Sequence, residues 1–131
     1  MIAKPASIFV LALAAIGAVS ASPLNRRDNP PTGDLTGTAE WSNFDGTSAC
    51  GTTLPADQPL VGIDGNLFNQ ITEPCGRKIT ITAPNGVSKQ ATIQESCGDG
   101  CSENGLLLTT GLFSDFYSLD KGTFQATWHF D

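Results

Sequence analysis

Residues 91–113 constrain the fold of this 131-residue chain more than any other segment. They read ATIQESCGDGCSENGLLLTTGLF. The order predicts a strand, then a closely spaced pair of cysteines, a polar loop and the start of a helix. Cys97 and Cys101 are separated by only three residues, two of which are glycines. The chain must therefore turn sharply directly after a strand.

Most other signals after Gly37 predict β-strands. Alternation and apolar runs place strands at residues 38–41, 60–63, 78–83, 88–95 and 122–130. The turn sequence Pro84-Asn85-Gly86 joins two of them into a hairpin. Residues 66–70 predict one helical turn, and Thr109 or Thr110 is predicted to cap a short helix that continues to Tyr117. Many short strands with one or two short helices favour a small closed barrel.

The final strand shows the clearest two-sided pattern. One face carries the apolar residues Phe124, Ala126, Trp128 and Phe130. The other face carries Thr123, Gln125, Thr127 and His129. We therefore expect Trp128 in the core and His129 on the surface.

The N-terminus predicts a signal peptide at residues 1–21. Lys4 precedes an uncharged run at residues 8–19, and small residues follow it. A retained membrane anchor is the alternative, but a span needs about 20 apolar residues. We therefore expect a secreted, extracellular protein that does not bind the membrane.

Residues 22–36 predict a disordered lead-in, because they contain three prolines and few large apolar groups. Arg26-Arg27 resembles the kexin-type processing site of fungal secreted proteins. The alternative is a pair of solvated charges in a flexible segment. If the site is cleaved, the mature chain starts at Asp28. Residues 37–131 are predicted to form a single domain.

Charge restricts the class of partner. Four basic and thirteen acidic residues follow Arg27, which gives a net charge of −9 for that part of the chain. Long-range repulsion disfavours nucleic acid, anionic lipid and acidic polysaccharide. A neutral polysaccharide or a protein surface fits better, and we expect the chain to be a monomer.

The four cysteines are Cys50, Cys75, Cys97 and Cys101. An even number in an exported chain predicts two disulfides, and sequence alone permits three connectivities. A four-cysteine zinc site is the alternative, which export disfavours. We expect no metal and no cofactor.

Four motifs, in order, resemble the double-psi β-barrel of expansin N-terminal domains and rare-lipoprotein-A-like proteins. They are GTAEW at residues 37–41, ACG at 49–51, PCGRKI at 74–79 and the segment 91–113 described above. The resemblance implies a mainly β fold, a six-stranded double-psi barrel with one or two short helices. It also implies the disulfides Cys50–Cys75 and Cys97–Cys101, the second holding residues 98–100 in a rigid turn.

The resemblance also implies where a ligand groove lies. Active relatives line it with an acid from each half of the motif and with a hydroxyl from the first strand. Here Glu95 matches the first acid, Leu107 the second and Ser42 the hydroxyl. Trp41 matches a groove aromatic, with a core tryptophan as the alternative reading. Asp99 on the adjacent loop completes the predicted groove.

Leu107 bears directly on activity. Glycosidic cleavage usually needs two carboxylates, and leucine cannot transfer a proton. Glu95 remains a candidate catalytic residue, with Glu103 or Asp99 as a substitute second acid; for each of these a solvated carboxylate is the alternative. The first hypothesis is a non-hydrolytic barrel that binds or loosens neutral cell-wall polysaccharide. The alternative is a protein-directed module, such as a protease inhibitor or a host-interaction effector. The third is a weak glycan-cleaving enzyme that uses Glu95.

Overall fold

A computed structural model describes residues 30–131. The predicted signal peptide and Arg26-Arg27 lie outside the described residues. Two short helices are present, α1 (Gly65–Gln70) and α2 (Thr110–Ser114), with a 3-10 turn at Leu119–Lys121. Six strands are present: β1 (Leu35–Ser42), β2 (Leu60–Ile63), β3 (Lys78–Thr82), β4 (Ser88–Ser96), β5 (Leu106–Thr109) and β6 (Thr123–Phe130).

The strands close into one barrel in the order β1-β5-β2-β4-β3-β6. Two neighbouring pairs, β1 with β5 and β2 with β4, run parallel, and the other four pairs are antiparallel. The predicted mainly β, six-stranded barrel with two short helices is confirmed. Closure leaves none of these strands as an open sheet edge.

The core fills the barrel with alternate residues of each strand. On β6 the apolar Phe124, Ala126 and Trp128 are buried, while the intervening Thr123, Gln125 and Thr127 are exposed, as the pattern predicts. The indole nitrogen of fully buried Trp128 donates to the main-chain oxygen of Asn104 at 2.9 Å. The described residues contain no buried side-chain polar atom without a hydrogen-bond partner.

The barrel begins earlier than predicted. The lead-in was expected to extend to residue 36, but β1 starts at Leu35, which pairs with Trp128, and Thr36 pairs with Thr127. The Leu35 side chain packs against the core, and the strand begins three residues before the predicted start at residue 38.

Strand β5 was not predicted, since residues 102–109 were expected to form a loop leading into a helix. Leu106 and Leu108 point into the core, and Leu107 between them is half-buried on the outer face. Thr109 occupies the N-cap position of α2, but its hydroxyl donates to the Gln58 oxygen at 2.6 Å and does not cap the helix. Helix α2 also ends at Ser114, before Tyr117.

Both disulfides that the resemblance implied are formed, Cys50–Cys75 and Cys97–Cys101. The first links the long connection between β1 and β2 to the segment before β3. The second closes the turn that follows β4. Nowhere between residues 30 and 131 is there a helix long and apolar enough to cross a membrane.

Asp131 follows β6 and connects the neighbouring strands β3 and β4 through its side chain. The Asp131 carboxylate accepts from the Thr80 hydroxyl at 2.7 Å and from the Gln90 amide at 2.6 Å. These two hydrogen bonds stabilise the ionised form and lower the pKa of Asp131 below its usual value. His129 lies between Asp131 and Asp34, at 3.5 Å from each carboxylate.

Candidate functional site

A β-bulge in β4 places Glu95 on the outer face of the barrel. Val61 of β2 pairs with Ile93, but the next residue, Gly62, pairs with Glu95, so Gln94 is the extra residue. Ala91 and Ile93 are buried, and strict alternation would have turned Glu95 into the core after them. The bulge shifts this alternation by one residue and turns the carboxylate outward.

Four outward-facing positions form a line across neighbouring strands. Leu107 pairs with Gly62 on one side and with Glu40 on the other, and Gly62 pairs with Glu95. We call Glu40, Leu107, Gly62 and Glu95 the outer row. The structure thus brings together the two residues that match the family's acid positions, and it adds Glu40, which the sequence analysis did not identify.

Glycine at position 62 makes room for Glu95. A β-carbon added to Gly62 would lie 3.2 Å from both Cβ and Cγ of Glu95, which is closer than ordinary van der Waals contact. The stem of the glutamate therefore lies directly over the glycine. A larger residue at position 62 would push the carboxylate away from the barrel.

The Glu95 carboxylate is already engaged by main-chain groups. Its Oε1 atom accepts from the Ala49 N–H at 2.8 Å and from the Ser96 N–H at 3.0 Å. Hydrogen bonds to an ionised acceptor are stronger than neutral ones. The half-buried carboxylate therefore ties the β1–β2 loop to β4, and this tie is the first structural role that the geometry gives it.

The β1–β2 loop, residues 43–59, is fixed at both its middle and its end. Beside the Glu95 contact, the Thr52 hydroxyl donates to the Gln94 side-chain oxygen at 3.1 Å, and Cys50 is bonded to Cys75. At the end of the loop, the Ala56 oxygen accepts from the Gly111 N–H at 2.8 Å. A loop of this length without regular structure is uncommon and is often functional.

Trp41 lies on the opposite face of β1 from the outer row. It shares the inward face with fully buried Ala39, packs against the core, and donates from its indole nitrogen to the Leu119 oxygen at 3.0 Å. Ser42 shares the outward face with Glu40 and pairs in register with Thr109. The structure therefore places Ser42 beside the outer row, but it does not bring Trp41 to it.

Asp99 and Glu103 line a different depression, with a volume of about 460 Å³, whose lining includes neither Glu95 nor Leu107. Asp64 closes its base. The buried Asp64 carboxylate caps α1 by accepting from the Asn66 N–H at 3.1 Å. It also accepts from the Asn104 N–H at 3.0 Å. Three or more His, Cys, Asp or Glu side chains placed to hold a metal occur nowhere in residues 30–131.

The outer row is poorly suited to two-carboxylate chemistry. Glycosidases place their two carboxyl groups between about 5 and 9.5 Å apart. Glu40 and Glu95 are three strand intervals apart, which is roughly 14 Å along the row at the usual strand spacing. Leu107 and Gly62 lie between them and offer neither a proton nor a negative charge. The row can contact a ligand, but its two acids do not flank one bond.

Comparisons with known proteins place this architecture. A Streptomyces papain inhibitor shares 25% sequence identity at a TM-score of 0.67, and the match covers 79% of this chain and 98% of the inhibitor. An apo expansin from Clavibacter michiganensis shares 19% identity at a TM-score of 0.60 and covers 75% of this chain. A mutant of that expansin in complex with cellohexaose has the same identity and a TM-score of 0.61. The chain spans only 50% of each expansin.

Sequence comparison adds nothing to these structural matches, because no protein-family model and no curated protein sequence matches the chain. The closed barrel and the similarity to these structures show that the chain has the double-psi β-barrel fold.

Proposed function

We propose that this double-psi β-barrel is an exported, non-hydrolytic binding protein whose partner is another protein, with a protease as the first candidate. One observation carries the proposal. The carboxylate at the family's first acid position holds the β1–β2 loop through the Ala49 N–H, and the second acid position is Leu107. Glu95, the residue expected to support glycan cleavage, instead supports a rigid exposed loop, and Leu107 supplies no second acid.

The comparisons favour a protein partner over a glycan. The chain spans 98% of the Streptomyces papain inhibitor but only half of the expansin, so it resembles a complete inhibitor. No aromatic side chain within residues 30–131 is fully exposed. Exposed aromatic rings are the usual stacking surface for sugars. A loop that is rigid before binding loses less conformational entropy when a partner docks.

Neutral polysaccharide is the second candidate. It is favoured by the similarity to an expansin that was solved with cellohexaose. The outer row adds a carboxylate at Glu40, and Ser42 adds a hydroxyl beside it, and both groups can hydrogen-bond to sugar hydroxyls. The excess of acidic residues is compatible with an uncharged polymer. On this reading the protein binds or loosens cell-wall contacts without cutting bonds.

The extracellular location is also part of the proposal. It rests on the predicted signal peptide at residues 1–21, which is followed by a lead-in that contains the dibasic pair Arg26-Arg27. The two disulfides of the barrel support it, because disulfides persist in oxidising compartments. Because the two disulfides pair all four cysteines, the barrel has no free thiol.

A paired assay tests the proposed function. Secreted protein is titrated against papain, subtilisin and trypsin, and residual peptidase activity is measured. The same preparation is mixed with chitin, β-glucan and cellulose to measure retention and released reducing ends. We expect loss of activity for at least one protease, little retention and no reducing ends. Retention without inhibition would favour the second candidate, and released reducing ends would contradict both.

A further inference from the structure

The β1–β2 loop contains a short stretch, residues 53–55, that is held at both ends. Within it the Pro55 oxygen accepts from the Gln58 N–H at 3.1 Å, and the Thr53 main chain is left for a partner. On one side, the Thr52 oxygen accepts from the Ser48 N–H at 2.7 Å, and the Thr52 hydroxyl contacts Gln94. On the other side, the Ala56 oxygen accepts from the Gly111 N–H. We call Thr53, Leu54 and Pro55 the bracketed segment.

The bracketed segment alternates between an inward anchor and outward residues. Leu54 is only 5% exposed, yet it does not belong to the main core cluster, so it packs beneath the loop. Thr53 and Pro55 on either side are exposed. Because a residue before proline is restricted to extended conformations, Pro55 keeps Leu54 extended. Leu54 is therefore an extended, anchored residue between two exposed neighbours, and a turn begins at Pro55.

Thr53 offers main-chain groups to a partner. Neither its N–H nor its carbonyl makes a hydrogen bond to any residue of the range 30–131. An extended segment with free main-chain groups can pair with another extended chain, and such pairing gives affinity through main-chain hydrogen bonds. The segment itself carries no charge, and the nearest charged residue along the sequence is Asp57, two residues after Pro55.

We propose that the bracketed segment is the recognition element of the protein, and that it pairs through the Thr53 main chain with the extended substrate-binding strand of a protease cleft. This inference rests on the proposed function and adds the surface that performs it. Glu95, Gln94 and Gly111 act as positioning residues, since they fix the loop on either side of the segment. The Leu54 anchor keeps the segment from collapsing onto the barrel or moving away from it.

Substitutions at two exposed threonines of the same loop test this assignment. Thr53→Arg places a bulky side chain on the bracketed segment, and Thr47→Arg places the same side chain outside it as a matched control. Thr53→Pro removes the main-chain donor, and it also fixes φ at this position and restricts the backbone of Thr52. We expect both Thr53 variants to raise the inhibition constant for the protease that the wild type inhibits by on the order of tenfold, as loss of a central contact does. Thr47→Arg should change it by less than about twofold, as is usual for a peripheral residue.

The outcomes separate the inference from the proposed function. Unchanged inhibition by both Thr53 variants, or equal losses for Thr53→Arg and Thr47→Arg, would overturn the assignment of the segment while leaving the inhibitory function intact. Failure of the wild type to inhibit any protease would overturn the proposed function and the inference with it. Thermal unfolding of each variant shows whether the barrel is intact, and we expect no change for Thr53→Arg and Thr47→Arg, since these side chains are exposed.

Discussion

Replacing Trp128 with alanine should lower the free energy of unfolding by about 3–5 kcal/mol, the range found for large aromatic residues deleted from cores. Trp128 is fully buried, and it packs with its ring 5.3 Å from that of Phe130. Its removal leaves a cavity and also deprives the Asn104 carbonyl of its indole donor. Denaturant unfolding followed by intrinsic fluorescence or circular dichroism measures the change.

A second substitution separates the hydrogen bond from the packing. Trp128→Phe keeps much of the apolar volume but has no side-chain N–H. We therefore expect its free energy of unfolding to lie between those of the wild type and the alanine variant. Leaving a buried carbonyl unpaired costs about 1–3 kcal/mol. Thr127→Ala, next to it on the exposed face, is the control and should lie within about 0.5 kcal/mol of the wild type. A Trp128→Phe variant as stable as the control would contradict the role given to the indole donor.

Gly37→Ala should destabilise the barrel by about 3 kcal/mol, the upper end of the usual range for overpacking. A β-carbon at this position would lie 2.1 Å from the Asn104 oxygen and 2.4 Å from its carbonyl carbon, so main chain rather than a flexible side chain must move. The same oxygen accepts from Trp128, and a shift that relieves the clash also disturbs that hydrogen bond.

The control for this variant lies one residue away on the same strand. Thr36 is exposed, so Thr36→Ala should change the free energy of unfolding by less than about 0.5 kcal/mol. A Gly37→Ala protein with a denaturation midpoint equal to that of Thr36→Ala would show that the contact between β1 and the loop before β5 is looser than described.

The strands with regular alternation could be predicted from sequence alone. In β6 the alternation of Phe124, Ala126 and Trp128 with polar residues gave both the strand and its buried face. The hairpin of β3 and β4 followed from Ile79, Ile81 and the turn between them. These elements have one face in the core and one in water, and such strands show apolar and polar residues in alternation.

Strand β5 could not be predicted in this way. Leu106, Leu107 and Leu108 are all apolar, although only the first and last of them enter the core. A short apolar run does not distinguish a strand from the start of a helix. The bulge at Gln94 was missed because residues 94–96 are all polar, so no apolar residue shows that the alternation shifts by one.

The site was predicted in part. Resemblance identified the positions of Glu95 and Leu107, but it could not show that the Glu95 carboxylate accepts from the Ala49 N–H, because that contact joins residues 46 positions apart. Trp41 was given two readings, and its inward face and its hydrogen bond to Leu119 now favour the core. The Asp64 network was missed because its partners Asn66 and Asn104 contribute main-chain groups, which sequence does not distinguish.

The weight of the functional hypotheses shifts for physical reasons. The sequence favoured a polysaccharide ligand because the family includes expansins. In the structure the outer row lacks an exposed aromatic ring and a second nearby acid, whereas the β1–β2 loop is held by a disulfide, a carboxylate and two further hydrogen bonds. Rigid exposed loops suit protein recognition, since less ordering remains to be done on binding.

The inhibition constants of wild type, Glu95→Gln and Glu95→Ala for the protease that the wild type inhibits test the central claim most directly, because the claim is that this carboxylate holds the loop. The glutamine side-chain oxygen can still accept from the Ala49 N–H, so we expect Glu95→Gln to inhibit within about threefold of the wild type. Alanine leaves that donor without an acceptor and loosens the loop at Ala49, although the Cys50–Cys75 disulfide remains. We therefore expect inhibition to weaken by about tenfold, equivalent to the loss of one charge-assisted hydrogen bond. Equal and complete loss in both variants, or no difference between wild type and Glu95→Ala, would contradict the account.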